Sequence, residues 1–327
     1  MSSVTTKRRS KAQPHLLHLG VDGGGTKTHI ALMNSAGDIV SEGFAGPANP
    51  LRVGVETSVA NILKAINDAC DAGGLSRGDI TSATLGLAGV RRMDIRQRIR
   101  DSFVQHIRVK RIEVITDAEI AWYGTTLGKP GLVVIAGTGS ICFGKNAKGE
   151  IAISGGWGPL AGDEGGGVGI ARDALHAVAK ASDGRGKQTA LSKQASDYFR
   201  ASGPENLIVA IYSPQVDNSR IAGFARLVVE SALEGDTIAV DILNDAGHEL
   251  GVAATAVIKK LGLSRQKIPI GCVGSVFKAG SILTKTMIGT IHQAAPKAYL
   301  TEPVMPPAHA AALMALRNGT AATNGRR

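Results

Sequence analysis

Three short stretches of this chain carry residues that can do chemistry. The first is Gly20-Val21-Asp22-Gly23-Gly24-Gly25-Thr26-Lys27-Thr28. Consecutive glycines let backbone N–H groups turn toward an anion without Cβ clashes, so Gly24, Gly25 and Thr26 are candidates to contact phosphate. Asp22 suits a hydrated Mg2+ rather than the phosphate itself, since like charges repel. No Gly-Lys-Ser/Thr follows, so this is not a P-loop, and a plain Gly-rich hairpin turn reads the same way. The second is Asp117, which ends the apolar run Ile112-Glu113-Val114-Ile115-Thr116. In open α/β sheets the carboxyl ends of strands face the ligand crevice. A carboxylate there can take the proton of a substrate hydroxyl during phosphoryl transfer, though an Asp before a helix also serves as an N-cap. The third is the glycine-dense run over 155–167, which contains Trp157, Asp163 and Glu164. Trp157 can stack on the apolar face of a sugar and the carboxylates can accept from its hydroxyls, while Asp163 can equally cap the helix that follows.

The elements that must position these residues follow from periodicity and turn letters. Apolar runs predict strands over 15–22, 29–34 and 39–45, with Asn34-Ser35-Ala36-Gly37-Asp38 joining the last two as a hairpin. Residues 47–50 read as a loop carrying Asn49, whose amide can face a ligand or make an Asx-turn beside Pro50. Val55, Val59, Ile62 and Ile66 place a helix over 54–72, and Gly73-Gly74 stops it. A strand over 80–87, a charged helix over 92–106, a strand over 111–116 and a helix over 118–127 complete the first half.

The second half restarts the same grammar. Strands are expected over 132–136, 141–145 and 151–154, with Gly137-Thr138-Gly139-Ser140 in the first turn. Overlaying Gly25 on Gly137 also brings Thr26 onto Thr138, Asn34 onto Asn146, Gly37 onto Gly149, Asp38 onto Glu150 and Gly43 onto Gly155. These matches fall on turn positions and indicate an internal duplication. Gly137, Thr138 and Gly139 thereby become a second phosphate candidate, and two such hairpins facing each other would clamp a polyphosphate. The chain then turns helical: a helix over 170–182, several over 187–262 with 222–234 and 238–261 clearest, and a strand over 268–273 ending in Gly274-Ser275. Gly274 and Ser275 suit a nucleotide base or ribose, or simply a helix start over 276–289. A short strand over 298–301 and a closing helix over 308–317 follow.

Composition narrows the function classes. The chain has 327 residues, 43% hydrophobic and 42 of them glycine, which suits an α/β protein of two domains. No apolar run is long enough to span a membrane, and the basic N-terminus is not a signal peptide, so a cytoplasmic protein is expected. Three scattered cysteines (Cys70, Cys142 and Cys272) point to a reducing compartment and have no metal-ligand spacing. The eight histidines show none either. The net charge of +10 lies partly in polar stretches over 1–13 and 318–327, read as tails. With no aromatic-interleaved basic patch, nucleic acid is not an expected partner.

The chain resembles the BadF/BadG-type ATPase and N-acetylglucosamine kinase family of the actin, hexokinase and Hsp70 superfamily, over about 15–317. The markers are Asp22 to Thr26, Thr116-Asp117-Ala118, Ala136 to Ser140, Cys272-Val273-Gly274-Ser275 and, most specific, Gly-Gly-Trp-Gly-x-x-x-Gly-Asp-Glu-Gly from Gly155 to Gly165. The resemblance implies an α/β fold of two duplicated actin-like ATPase (ribonuclease H-like) domains, over 14–127 and 128–317, the second with a helical insertion. They would close on a nucleotide and sugar cleft and exclude water. It implies ATP and Mg2+ as cofactors and a small amino sugar as partner, with a homodimer as one possible assembly. Asp117 would be the base for the sugar 6-hydroxyl. Asn49, Asp117, Gly156, Trp157, Gly158 and Asp163 would bind the sugar. Thr26 and Thr138 would contact ATP phosphates, and Ala222, Gly223, Gly274 and Ser275 would line the adenosine pocket. N-acetylglucosamine is the expected acceptor. Glucosamine, or an activator ATPase without sugar turnover, are the alternatives. Two departures keep the acceptor open: Leu87-Ala88-Gly89-Val90 is apolar beside the expected sugar site, and Pro47-Ala48-Asn49-Pro50 has no aromatic residue.

Overall fold

The computed structural model describes residues 16–321. The tail expected over 1–13, His15 and residues 322–327 lie outside the described residues. The chain divides into two compact units, Met1–Thr116 with Ala311–Arg327, and Asp117–Ala310. Helix 117–126, expected to close the first half, thus groups with the second.

Unit 1 is built on β1 (Leu17–Gly23), β2 (Thr28–Asn34), β3 (Ile39–Ala45), β4 (Ile80–Leu87) and β5 (Arg111–Thr116), in the spatial order β3-β2-β1-β4-β5. β1 to β3 form an antiparallel meander, and β4 and β5 add in parallel on the other side of β1. The central strands read as near-continuous apolar runs because both faces are covered. Pro50–Val53 (α1) forms a short helical turn where a loop was expected, because the Asn49 side chain caps it by accepting from Leu51 N at 3.0 Å. Val55–Gly73 (α2) buries Val55, Val59, Ile62, Ala65, Ile66 and Ala69 at helical spacing. It ends at Gly74, in the left-handed region (φ +61), which closes the C-terminal turn. α2 lies so close to β3 that a Cβ at Gly43 would meet the Ala65 carbonyl oxygen at 2.0 Å. Met93–Val104 (α3) adds Ile99 and Phe103 to the same core. The second half of the closing helix belongs here too: Ser82 Oγ donates to Ala315 O (2.8 Å) and lies 2.7 Å from His18 Nδ1.

Unit 2 repeats the plan. Gly131–Ala136 (β6), Ser140–Lys145 (β7), Ile151–Gly155 (β8), Pro269–Val273 (β9) and Tyr299–Thr301 (β10) are ordered β10-β9-β6-β7-β8. β6 to β8 are an antiparallel meander, and β9 and β10 add in parallel. Its helices are Asp117–Thr126 (α4), Gly167–Ser182 (α5), Leu191–Phe199 (α6), Leu207–Ile211 (α7), Asn218–Gly223 (α8), Ala225–Leu233 (α9), Thr237–Lys260 (α10) and Ser281–His292 (α11), with the start of the closing helix Pro307–Ala321 (α12), whose residues from Ala311 on belong to unit 1. The helix expected over 222–234 is two, α8 and α9, which meet at Phe224. The one expected over 276–289 is a 3-10 turn, Ser275–Ala279, then α11, broken at Gly280 with φ +59. α12 continues to Ala321, so the tail expected from Asn318 begins inside a helix. Asn318 is tied down: its Nδ2 donates to Glu113 Oε2 at 2.9 Å, and its carbonyl accepts from Arg111.

The duplication is visible in atomic detail. Asn34 Oδ1 accepts from Ala36 N and Asp38 N, both at 2.9 Å, and Asn34 Nδ2 donates to Asp38 Oδ2 at 3.1 Å. Asn146 Oδ1 accepts from Lys148 N (3.0 Å) and Glu150 N (3.1 Å), and Asn146 Nδ2 donates to Glu150 Oε2 at 2.6 Å. Gly37 (φ +95) and Gly149 (φ +82) take the equivalent left-handed positions.

Candidate functional site

In unit 1 the strand register brings three chain exits to one end of the sheet. Gly23 lies opposite Leu87, and Leu87 opposite Thr116, so β1, β4 and β5 finish level. From them leave the Gly24–Lys27 turn, the Ala88-Gly89 loop and Asp117.

The turn is closed by Gly24 N donating to Lys27 O at 2.9 Å. The Gly24 carbonyl accepts from Ala48 N (3.1 Å) and Asn49 N (3.2 Å), so the Asn49 loop is fastened directly to the hairpin. Thr26 and Lys27 are exposed, and Asp22, at the end of β1, is half-buried. A single hard carboxylate beside a turn with amides for phosphate is a donor set that fits Mg2+ held jointly with a nucleotide. Asn49 is half-buried and spends Oδ1 on capping α1, which leaves its Nδ2 hydrogens for a ligand. Gly89, with φ +79, lies against it: a Cβ there would fall 2.2 Å from Asn49 Oδ1. Arg52 Nη1 donates to Gly25 O at 2.7 Å, bracing the turn from α1.

Asp117 is the first residue of α4, not the residue before it. Its Oδ1 accepts from Ala118 N at 2.9 Å. Burial pushes its carboxyl above the ordinary carboxylate range, although the Ala118 amide and its own amide pull it back, and the neighbouring Glu119 charge adds to the rise. That leaves a directed, partly desolvated carboxylate, which is a stronger base than one in water.

Unit 2 assembles the second hairpin. Gly137 N donates to Gly139 O at 2.9 Å, and Thr138 is exposed at the tip. The hairpin carbonyls take the first donors of α5: Gly167 N bonds Gly137 O (2.8 Å) and Val168 N bonds Thr138 O (3.0 Å). Helix starts need such partners, and only glycine fits the approach, since a Cβ at Gly166 would meet Gly139 C at 2.6 Å. α5 therefore begins in the glycines at Gly167, three residues before the expected start. Gly167 also lies against Ala222, and Gly274 (φ +118) against Ala136 O, at 3.2 and 2.2 Å from their ideal Cβ positions. Gly137, Thr138, Gly139, Ala222 and Gly274 thus form one cluster, with Gly223 and Ser275 adjoining it along the chain.

The Trp157 loop is joined to this hairpin. Gly156 N donates to Ser140 O at 2.9 Å, and Gly156 and Gly158 both have positive φ. Trp157 is 70% exposed. Asp163 does not cap α5, whose N-cap is Gly166. It is a buried, left-handed residue (φ +61) whose Oδ1 accepts from Ser140 N at 3.4 Å, while Gly158 N also donates to its carboxylate. Burial pushes this carboxyl up and the two amides restrain it. The sequence reading named Gly89, Gly166 and Gly167 only as parts of loops, without their close approaches, and did not name Arg52. A Gly just past a strand end was a signal for Gly89; nothing local marked Arg52.

The sequence pattern of the BadF/BadG/BcrA/BcrD ATPase family matches residues 19–315. The N-acetylmuramic acid/N-acetylglucosamine kinase of Clostridium acetobutylicum is 34% identical over 259 residues, 79% of this chain and 84% of that protein. The N-acetyl-D-glucosamine kinase of Dictyostelium discoideum is 31% identical over 314 residues, 92% of this chain and 98% of that one. Among solved structures, a Chromobacterium violaceum protein provisionally named an N-acetylglucosamine kinase superposes with a TM-score of 0.77 at 26% identity, covering 92% of this chain and 99% of that one. The expected actin-like α/β architecture is the one observed. With two like sheets, two glycine hairpins and the family pattern across nearly its whole length, the chain belongs to the BadF/BadG/BcrA/BcrD ATPase family.

Proposed function

We propose that this protein is an ATP-dependent kinase that phosphorylates the 6-hydroxyl of N-acetylglucosamine. The observation that carries the reading is the register of β1, β4 and β5, which ends the hairpin strand and the Asp117 strand at one level. A phosphate grip and a partly desolvated base leave the same sheet end. The names of the relatives supply the sugar class.

In this reading Asp117 accepts the proton of the 6-hydroxyl as that oxygen attacks the γ-phosphorus and ADP departs. Asn49, Gly156, Trp157, Gly158 and Asp163 hold the sugar, with the Trp157 ring under its apolar face. Gly24, Gly25 and Thr26, with Gly137, Thr138 and Gly139, offer donors to the phosphates, while Ala222, Gly223, Gly274 and Ser275 line the nucleoside pocket. Mg2+ held by Asp22 would neutralise phosphate charge. Asp163, fixed between Ser140 and Gly158, couples the sugar loop to the hairpin. A cytoplasmic location fits ATP use and three free thiols. The alternative of an activator ATPase, which would use cysteines to hold an iron–sulfur cluster, has no support in those thiols: Cys70 and Cys142 are buried, and burial pushes Cys272 up to about 12.

The test is ADP release measured with N-acetylglucosamine, glucosamine, N-acetylmuramic acid, N-acetylmannosamine and glucose. The expected result is the highest kcat/KM with N-acetylglucosamine. Equal slow ADP release with and without any sugar contradicts the proposal.

A further inference from the structure

α8 is a helix of six residues, too short to hold itself in place, yet it ends in Ala222 and Gly223, the residues assigned above to the nucleotide. Its start is capped by Asp217, whose Oδ1 accepts from Arg220 N at 2.8 Å. α8 also packs against α5, and one side chain on α6 adds to its anchorage. Tyr198 Oη donates to the Arg220 carbonyl at 2.8 Å. The Arg220 guanidinium lies over the Tyr198 ring, 4.0 Å from its centroid, and its Nη2 donates back to the Tyr198 carbonyl. The ring is fixed by Phe199, edge-on at 4.9 Å, and by Phe224 at 5.6 Å.

The same hydroxyl occupies the space beside Gly223. A Cβ on that glycine would fall 2.3 Å from Tyr198 Oη, whereas the ring carbon Cζ would lie 3.5 Å away, an ordinary contact. Beyond it the contacts continue to the hairpin: an ideal Cβ at Gly167 would lie 3.2 Å from Ala222 O, and Gly167 N bonds Gly137 O at 2.8 Å. Tyr198 therefore stands at the head of a packed series that runs through α8 and the start of α5 to Gly137.

We propose that Tyr198 is a positioning residue for the nucleotide: through Arg220 and Gly223 it sets α8 against the phosphate hairpin. The proposal rests on the nucleotide site assigned under Proposed function. Its distinctive consequence is steric and local. Gly223→Ala conflicts with the Tyr198 hydroxyl but not with the bare ring, so removal of the hydroxyl relieves the conflict.

The experiment compares the parent, Y198F, G223A and Y198F/G223A, reading ADP Kd by titration calorimetry without sugar, then ATP KM, sugar KM and Tm. Y198F is expected to raise ADP Kd and ATP KM about three- to tenfold, the scale of one lost neutral hydrogen bond, with sugar KM within about twofold. G223A is expected to weaken ADP more than Y198F does, and the double variant is expected to bind ADP better than G223A alone. Two outcomes overturn the positioning role: unchanged ADP Kd in Y198F, or no relief in the double variant. A parallel rise in both KM values with a lowered Tm would mean a merely structural tyrosine and overturns it too. Since ADP binding is read without a sugar, a wrong acceptor leaves this test intact. A parent chain that binds no ADP removes both readings together.

Discussion

The carboxylate of Asp163 lies directly over Gly139: a Cβ on that glycine would fall 2.4 Å from Asp163 Oδ2. The contact places a buried acid from the Trp157 loop on the back of the second hairpin, where it also accepts from Ser140 N. Gly139→Ala must therefore push the hairpin and the Trp157 loop apart. Both ATP KM and sugar KM are expected to rise by about tenfold or more, measured by initial rates against each substrate. A rise confined to ATP would show that Asp163 does not couple the two sites.

Gly89 makes the corresponding prediction in unit 1. It has φ +79 and no room for a methyl group beside Asn49. Gly89→Ala adds backbone strain and displaces the carboxamide, so sugar KM should rise about tenfold or more. ADP affinity, read by calorimetry, should change by less than about threefold, because Asn49 meets the hairpin only through its backbone N–H.

Besides its proposed role as the base, Asp117 carries a stability consequence. Burial raises its pKa in the folded chain above the unfolded value of 3.8. The folded state thus favours the protonated form. Its contribution is fully present below the unfolded pKa and is lost as pH rises through the folded pKa. Asp117→Asn removes that loss, so the variant should have a higher Tm than the parent at pH 7. The gap should narrow as the pH is lowered toward 3.8. An equal or lower Tm at pH 7 would contradict the desolvated carboxylate.

The acid limb of the rate follows from the same shift. The base must be ionised, so kcat should fall as pH drops through a pKa above the ordinary carboxylate value. A kcat–pH profile that stays flat down to pH 4 would exclude Asp117 as the group that titrates.

Much of this was legible in the letters because turns constrain residue type tightly. Asn34 and Asn146 could be aligned from sequence since each must accept from two backbone amides across its turn, and the structure shows the same bonds in both. The hairpins, the Asn49 loop and the Trp157 loop were likewise marked by glycine, Asn and Pro. The rest depended on approach between segments distant in sequence. Nothing around Gly166 states that Gly139 will lie 2.6 Å from its Cβ position, and nothing around Gly223 announces Tyr198. The break between α8 and α9 was hidden because its residues, Ile221 to Ala225, keep a helical pattern of apolar side chains. α1 was read as a loop because two prolines frame Asn49, although Pro at the first helical position is favourable.

The most direct measurement of the central claim is a product analysis of parent and Asp117→Asn with ATP, Mg2+ and N-acetylglucosamine. The parent should yield ADP and the sugar 6-phosphate in equal amounts. Asp117→Asn should lower kcat by at least about 10²-fold while ADP and sugar affinities stay near those of the parent. ADP formed without sugar phosphate, or unimpaired turnover in Asp117→Asn, would contradict it.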